Sequence, residues 1–283
     1  MAGILLALAG AAAWGSVLLI CMRIGGNPQS QMFGISIGTI LLSLCLFFYQ
    51  TPLMNNVTWV LGFVSGFALA IGLYNQLISA RLIGVSKSVP FIAGVQLLGA
   101  AACSVIILKE WSSLYSLALG MIAIILIIVG LVFILLWTST TVKKERFSRA
   151  WVKMLLSALG FIGYFGISNV FDIDGWGAML PMALGLFAGT CMLAFRKKPK
   201  FADTLRNMVS GAVFSIGSLC FLFSLSILGA GPSFSVSQVW VALSTAGGLY
   251  LLKEKSTRKQ AAFLLLSSVL IVAGGVALGY SKG

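Results

Sequence analysis

The chain contains 283 residues, of which 59% are hydrophobic and 9% are charged, and its mean hydropathy is +1.05. So few polar residues cannot coat a water-soluble globule, and the composition predicts a protein embedded in a lipid bilayer. The chain has no histidine, and its five cysteines occur singly, which excludes Ser-His-Asp chemistry and histidine metal sites. We therefore expect neither a cofactor nor a bound metal.

Ten apolar runs follow one another along the chain, and each is long enough to cross a bilayer as a helix. A hydrocarbon core about 30 Å thick requires roughly 20 apolar residues per helix. In chain order the runs are 2–22, 32–49, 57–77, 89–108, 114–137, 154–170, 176–195, 208–228, 234–252 and 261–278. Gly, Ser and Pro residues precede the fourth and ninth runs, so those helices could begin earlier, near Ser86 and Gly231. We predict an all-α polytopic membrane protein with ten transmembrane helices.

Parts of the two halves of the chain share one layout. The stretches 80–136 and 226–278 each contain a Leu-Ile-Gly or Ile-Leu-Gly segment, a glutamine, a Lys-Glu pair and a long apolar run. The Gly and the Lys-Glu pair recur at an offset of 144 to 145 positions, about half of the chain. We therefore expect two five-helix repeats, over residues 1–140 and 150–283. Because five is an odd number, the second repeat enters the membrane from the opposite side, and the repeats are predicted to be inverted.

Basic residues are concentrated in every second loop. The loops after the first, third, fifth, seventh and ninth runs hold 17 of the 19 Lys and Arg residues, and the opposite side holds only Lys109 and Lys282. Because cytoplasmic loops carry the excess of Lys and Arg, we predict that both chain termini are extracytoplasmic. The net charge of +13 is then explained by contact with anionic headgroups of the lipid bilayer, and no nucleic-acid partner is expected.

Six short segments carry a resemblance to a known family. They are Trp14-Gly15-Ser16, Asn75-Gln76-Leu77, Leu-Ile-Gly-Val-Ser at 82–86, Gln-Leu-Leu-Gly at 96–99, Glu-Trp-Ser-Ser at 110–113 and Ser-Phe-Ser-Val-Ser-Gln at 233–238. Over nearly its whole length the chain resembles the bacterial glucose/ribose porters (glucose uptake proteins) of the drug/metabolite transporter superfamily. The resemblance implies a ten-helix protein of the bacterial cell membrane that imports a monosaccharide.

The chain departs from this family at two places. It reads Gly217-Ser218-Leu219 where relatives have Gly-Asn-Leu in the eighth helix. It also has Lys-Glu at 109–110 and 253–254, where relatives often have Gly-Glu. The first departure could alter which sugar is bound.

Amide, hydroxyl and indole groups in the apolar runs are the candidates for binding a sugar. A neutral sugar offers many hydroxyls and an apolar C–H face, so its site should provide amides, hydroxyls and an aromatic platform in place of fixed charges. The candidate residues are Trp14, Asn75, Gln76, Gln96, Ser218 and Gln238. Gln96 and Gln238 occupy similar places in the two repeats, near mid-membrane. The alternative is that these polar groups hold helices together, because a buried polar group must be paired.

The resemblance also implies proton symport, which requires a titratable side chain. None of the six acidic residues lies in the middle of an apolar run, so Glu110 and Asp172, at helix ends, are the candidates for proton coupling. An ion pair with Lys109 is the alternative role of Glu110.

Two other function classes compete with sugar import. An exporter of amino acids or small cations on the same fold would need a carboxylate inside a helix, which these six acidic residues do not supply. An enzyme acting on lipid-linked substrates would need a catalytic acid, base or metal cluster, and the chain offers none. The sequence distinguishes neither glucose from ribose nor a monomer from an oligomer, but it favours a sugar importer that works by alternating access.

Overall fold

A computed structural model describes residues 1–50, 55–107, 109, 111–171, 174–194 and 198–281, with side chains described except at 49, 50, 139–141 and 169. Within these ranges the chain is helical and contains no strand. The helices are α1 (Ala2–Ile24), α2 (Pro28–Gln50), α3 (Asn56–Ile83), α4 (Val85–Ile106), α5 (Leu114–Thr141), α6 (Lys144–Val170), α7 (Gly175–Ala194), α8 (Phe201–Leu228), α9 (Ala230–Ser237), α10 (Val239–Tyr250) and α11 (Arg258–Tyr280). The predicted all-α class is confirmed.

Nine helices of the described residues are long and apolar enough to cross a membrane. They correspond to nine of the ten predicted runs. The early starts expected for the fourth and ninth helices are also found, at Val85 and Ala230. Two helices, α6 and α8, begin well before their apolar runs, so their first turns carry part of the basic loops.

The prediction of one continuous ninth helix over 234–252 is wrong. The chain forms α9 and α10 instead, and they meet at Gln238. In a continuous helix the Phe234 carbonyl would accept a hydrogen bond from the Gln238 N–H. Here it accepts hydrogen bonds from the Ser237 hydroxyl at 2.7 Å and from the Gln238 side-chain amide at 3.2 Å. The Gln238 N–H therefore bonds to the Ser235 carbonyl, at 3.3 Å. Side-chain donors here compete with the backbone ladder and interrupt the helix.

Unusual backbone conformations recur in both halves. Among the described non-glycine residues, only Lys109 (φ 52°) and Lys253 (φ 51°) have a positive φ. Gly84 (φ 99°), just before α4, has a counterpart in Gly229 (φ 81°), just before α9. These residues are spaced as the predicted repeats require, so the conformations are compatible with a duplicated fold.

The largest helix contacts join the two halves of the chain. Helix α3 packs against α6 and α7, and α8 packs in the matching way against α1 and α2. Helices α5 and α11, the fifth and last predicted spans, pack against each other. The exchange of partners between halves is compatible with inverted repeats, and the boundaries at 1–140 and 150–283 remain a prediction.

Glycines allow the backbones of these helices to come very close. A Cβ on Gly66 of α3 would collide with the Met182 carbonyl oxygen of α7, and a Cβ on Gly185 of α7 would collide with the Phe63 carbonyl oxygen of α3. The crossing of α8 and α2 is built in the same way, because Gly211 faces the Ile35 carbonyl. Small residues are the usual means of close helix approach in membranes, where lipid provides no hydrophobic drive to association.

We expect Gly66→Ala and Gly211→Ala to lower the free energy of unfolding, because overpacking a tight contact costs about 1–3 kcal/mol. Gly166 is a matched control in α6, since a Cβ there meets nothing within 4 Å. Gly166→Ala should leave stability unchanged or raise it by up to about 1 kcal/mol. Thermal unfolding of the purified variants in detergent would measure the difference. Equal stability of all three variants would contradict this account of the helix crossings.

The loops that follow α1, α3, α7 and α10 lie together at one end of the bundle, called here the basic end. The Arg81 guanidinium, in the last turn of α3, donates to the Gly26 carbonyl in the α1–α2 loop. The Lys200 N–H donates to the Ser30 hydroxyl at 2.8 Å, and the Asn207 amide donates to the Gly25 carbonyl at 3.2 Å. The structure thus brings four of the five predicted cytoplasmic loops to one side.

The predicted orientation can be tested with two exposed serines. Ser112 precedes α5 at the end opposite to the basic end, and Ser148 lies in the first turns of α6. In a cysteine-free background, Ser112→Cys should react with a membrane-impermeant maleimide in intact cells, because the positive-inside rule places it outside. Ser148→Cys should react only after the cells are permeabilised. The opposite pattern would reverse the topology.

Candidate functional site

A cavity lies where the two halves of the chain meet. Its walls come from α1, α2, α3, α4, α6, α8, α9 and α10, so residues of both predicted repeats line it. The cavity and its opening contain about 910 Å³. Four of the predicted site residues line it: Trp14, Gln76, Gln96 and Gln238.

Gln76 and Gln96 are the polar residues of this cavity best suited to bind a ligand. Gln76, on α3, is only 6% exposed, and Gln96, on α4, is partly buried. Neither side-chain amide makes a hydrogen bond to another described residue, although both line the cavity. An amide at this depth has two donors and an acceptor, and leaving them unpaired costs free energy. A polar ligand between α3 and α4 would supply the missing partners.

Trp14 forms an aromatic wall of the cavity and is held from behind by α8. Its indole N–H donates to the Ser218 hydroxyl at 3.4 Å. The centroids of the Trp14 and Phe221 rings are 5.1 Å apart, and the ring planes are tilted by 48°. Gly217 leaves space for the indole, since a Cβ there would be 2.8 Å from Trp14 Cδ1. The structure thus places Ser218 behind Trp14, where it orients the ring.

Gln238 lies at the interruption between α9 and α10. Its amide nitrogen is used within its own helix, donating to the Phe234 carbonyl at 3.2 Å and to the Ser237 hydroxyl at 3.5 Å. Gly275 of α11 allows its aliphatic part to pack closely, because a Cβ on that glycine would be 2.7 Å from Gln238 Cγ. The side chain therefore has a fixed position at the cavity wall.

Asn75 is 4% exposed and is not among the cavity-lining residues. Its amide nitrogen donates to the Ile71 carbonyl at 2.8 Å, one turn back along α3. Its Oδ1 atom is buried and has no hydrogen-bond partner among the described residues. Asn75 thus lies beside Gln76 in sequence but is directed elsewhere.

Several cavity residues were not indicated as site residues by the sequence. Ser237 and Ser244 add hydroxyls, and Phe161, Phe214 and Phe221 add aromatic surface. A phenylalanine in an apolar run looks the same whether it faces lipid or a cavity, so its role depends on helix rotation. The Ser237 position could have been inferred, because it is adjacent to Gln238 in one of the motifs.

A second cavity lies next to the first, towards the end opposite to the basic end. The second cavity and its opening contain about 890 Å³. It is lined by apolar residues of α4, α6, α8 and α9, together with Gln96 and Ser104. Four residues line both cavities: Gln96, Phe165, Phe221 and Phe234. Gln96 is the polar member of this shared boundary.

The two candidates for proton coupling, Glu110 and Asp172, lie outside the described residues. Of the described acidic residues, Asp174 accepts hydrogen bonds from the Trp176 and Gly177 N–H groups at the start of α7. No group of three His, Cys, Asp or Glu residues that could hold a metal ion occurs in the described part of the chain.

The family model and the full-length relatives agree on one family. The model of the sugar transport protein family matches residues 5–281. The glucose uptake protein GlcU of Bacillus subtilis (strain 168) is 35% identical over 282 residues, covering 99% of this chain and 98% of that protein. The Priestia megaterium protein named "Probable glucose uptake protein GlcU" is 36% identical over 99% of both chains. A solved crystal structure of a 14% identical protein covers 98% of this chain and 96% of its own, with a TM-score of 0.58, which shows a shared fold.

A multi-pass helical bundle with a cavity where its two halves meet has the architecture of a membrane transporter. The matches over nearly the whole length decide which kind it is. The chain belongs to the sugar transport protein family.

Proposed function

We propose that the protein imports a monosaccharide, with glucose as the first candidate and ribose as the second, across the bacterial cell membrane. The relatives named for glucose uptake support this substrate. The structural observation that carries the proposal is that two amides, Gln76 on α3 and Gln96 on α4, line one cavity without a hydrogen bond to another described residue.

The chemistry of the cavity suits a neutral sugar. Sugar hydroxyls both donate and accept hydrogen bonds, as do the side-chain amides of Gln76 and Gln96. The Ser244 hydroxyl donates to the Gly15 carbonyl at 2.7 Å and is left as an acceptor. The C–H face of a pyranose packs against aromatic rings, and Trp14 and Trp240 provide such surfaces.

Export of amino acids or small cations is less well supported. A cation transferred from water into the membrane interior needs a compensating negative charge. The described lining of the two cavities contains no Asp or Glu side chain. Neutral hydrogen-bonding groups and aromatic rings are therefore the recognition elements offered to a substrate.

Alternating access accounts for a site between the halves. The walls of the cavity come from helices of both predicted repeats, and rocking of one repeat against the other would open the site first to one side and then to the other. The shared boundary at Gln96 then separates the sugar cavity from the second cavity, which would be its route to the extracytoplasmic side. Both chain termini are proposed to lie on that side.

We expect Gln76→Ala and Gln96→Ala to weaken sugar binding, because each removes hydrogen bonds to an uncharged hydroxyl worth about 0.5–1.5 kcal/mol apiece. The half-saturating glucose concentration for uptake should rise roughly 3- to 30-fold. Asn56→Ala removes an exposed amide at the start of α3 and serves as the matched control. Competition by unlabelled ribose against labelled glucose would rank the two substrates. Unchanged uptake in both glutamine variants would assign these amides to helix packing.

We also propose that uptake is coupled to protons, with Glu110 as the first residue to test and Asp172 as the second. Proteoliposomes with equal glucose on both sides should accumulate the sugar when an inward proton gradient is imposed. Glu110→Gln should abolish accumulation and leave glucose exchange intact, because exchange needs no net proton movement. Glu145→Gln neutralises an exposed carboxylate of α6 and is the control. A wild-type protein that only equilibrates glucose would be a facilitator, and the coupling proposal would be wrong.

A further inference from the structure

Glu254 of the second half reaches the start of a helix of the first half. It follows α10, where Lys253 adopts a left-handed backbone conformation (φ 51°) and the Glu254 N–H donates to the Gly248 carbonyl at 3.3 Å. This reversal turns the Glu254 side chain towards α4. The residue is partly buried and lies at the basic end.

The Glu254 carboxylate accepts three hydrogen bonds from the first turn of α4. Its Oε1 accepts from the Val85 N–H, and its Oε2 accepts from the Ser86 N–H at 3.1 Å and from the Ser86 hydroxyl. The first N–H groups of a helix have no partner within the helix, and a negative charge there is favoured by the helix dipole. Hydrogen bonds to an ionised acceptor are also roughly twice as strong as neutral ones.

The surroundings of the carboxylate are fitted to this contact. Gly84 has a positive φ, and a Cβ on it would collide with the Glu254 carboxylate. Gly248 of α10 lies against the same turn, since a Cβ there would be 2.8 Å from the Ser86 nitrogen. Lys87 of α4 adds a favourable charge interaction with Glu254. Val85 and Ser86 are 1% and 0% exposed, so the contact is closed to solvent on the α4 side.

This contact joins two helices that line the sugar cavity. Helix α4 carries Val89 and Gln96 of the lining, and α10 carries Trp240 and Ser244. Their ends at the basic end are held together by the carboxylate and by the close approach of Gly248 to Ser86. Separation of α4 from α10 at this end would open the cavity there, and it would require the three hydrogen bonds to break.

We propose that Glu254 is a latch residue, whose bonds to Val85 and Ser86 keep the cavity closed at the basic end until transport opens it there. The residue positions two cavity helices and does not touch the sugar. The effect of the latch on uptake rests on the proposed transport function. Closure of the cavity does not, because it can be measured on the protein without substrate.

Cys21 provides a test that needs no sugar. It lies in α1, lines the cavity and is 0% exposed. In a variant whose other four cysteines are replaced by serine, the reaction of Cys21 with a membrane-impermeant maleimide is followed in sealed vesicles. The vesicles are oriented with the basic end towards the reagent, as reported separately by Ser148→Cys.

Glu254→Gln keeps the size of the side chain but removes its charge and one acceptor oxygen. We expect Cys21 to react on the order of 10-fold faster in this variant, the effect of losing one charge-assisted hydrogen bond. Glu145→Gln is an equal change of charge at an exposed residue in the first turn of α6, and it should leave the rate unchanged. The first turns of α6 lie at the basic end, because the Trp151 ring packs against Phe91 near the start of α4, with ring centroids 4.9 Å apart. An unchanged rate in Glu254→Gln, or an equal increase in Glu145→Gln, would overturn the latch.

Ser86→Ala covers the case in which Glu254→Gln does not fold. It removes one of the three hydrogen bonds and leaves the carboxylate in place, so we expect a smaller increase in the rate for Cys21. No increase would also count against the latch. If Cys21 responds as expected but neither variant nor wild type takes up glucose, the latch stands and the proposed substrate is wrong.

Discussion

Close crossing of helices from the two halves is the constraint on which the structure depends. In a bilayer the removal of apolar side chains from lipid gives little free energy, so helices associate through packing and interhelical hydrogen bonds. The glycines of α3, α7 and α8 let backbones meet at the crossings, with carbonyl oxygens where a larger residue would place its Cβ. Hydroxyls add direct bonds, as from Ser157 to the Gly72 carbonyl at 2.8 Å. The two halves are therefore held together by close packing and interhelical hydrogen bonds more than by burial of apolar surface.

The buried polar side chains differ in whether they have a hydrogen-bond partner within the protein. Many buried hydroxyls donate to a carbonyl three or four residues back in their own helix, as Thr190 does to Leu186 at 2.8 Å. Such pairing is local and neutral, so it leaves the helix intact. Gln76 and Gln96 have no such partner, and they lie where the halves leave space. Asn75 Oδ1 also lacks a partner among the described residues, but Asn75 does not line the cavity. A candidate binding residue is therefore marked by free hydrogen-bonding groups together with a place in the cavity lining.

Hydropathy was sufficient to predict most of the fold, because a membrane helix must satisfy all of its backbone groups internally and so appears as an uninterrupted apolar run. It was not sufficient at Gln238, where the cause of the break is a pair of side-chain bonds to one carbonyl. Nor could it separate Gln76 from Asn75. Adjacent residues on a helix point about 100° apart, so their environments depend on how the helix is rotated against its neighbours.

Glu254 shows a different limit of sequence reasoning. A Lys-Glu pair at the end of an apolar run normally indicates a solvated helix end, and the sequence assigned no role in the site to Glu254 of the second pair. The partner of the carboxylate is 168 positions away in the chain. Gly84 packs against this carboxylate and Ser86 donates to it. In the sequence, both residues belong to a motif that indicates only a break between two helices. Contacts between distant segments of this kind become visible only once the helices are placed.

The interruption at Gln238 divides one membrane crossing into segments of 8 and 12 residues. At 1.5 Å per residue these are about 12 Å and 18 Å long, and only together do they span the hydrocarbon core. The shorter segment carries Phe234, which lines both cavities, and the longer segment carries Ser244, which lines the first. The direction of one part of the cavity wall relative to the other is therefore set by the backbone of a single residue.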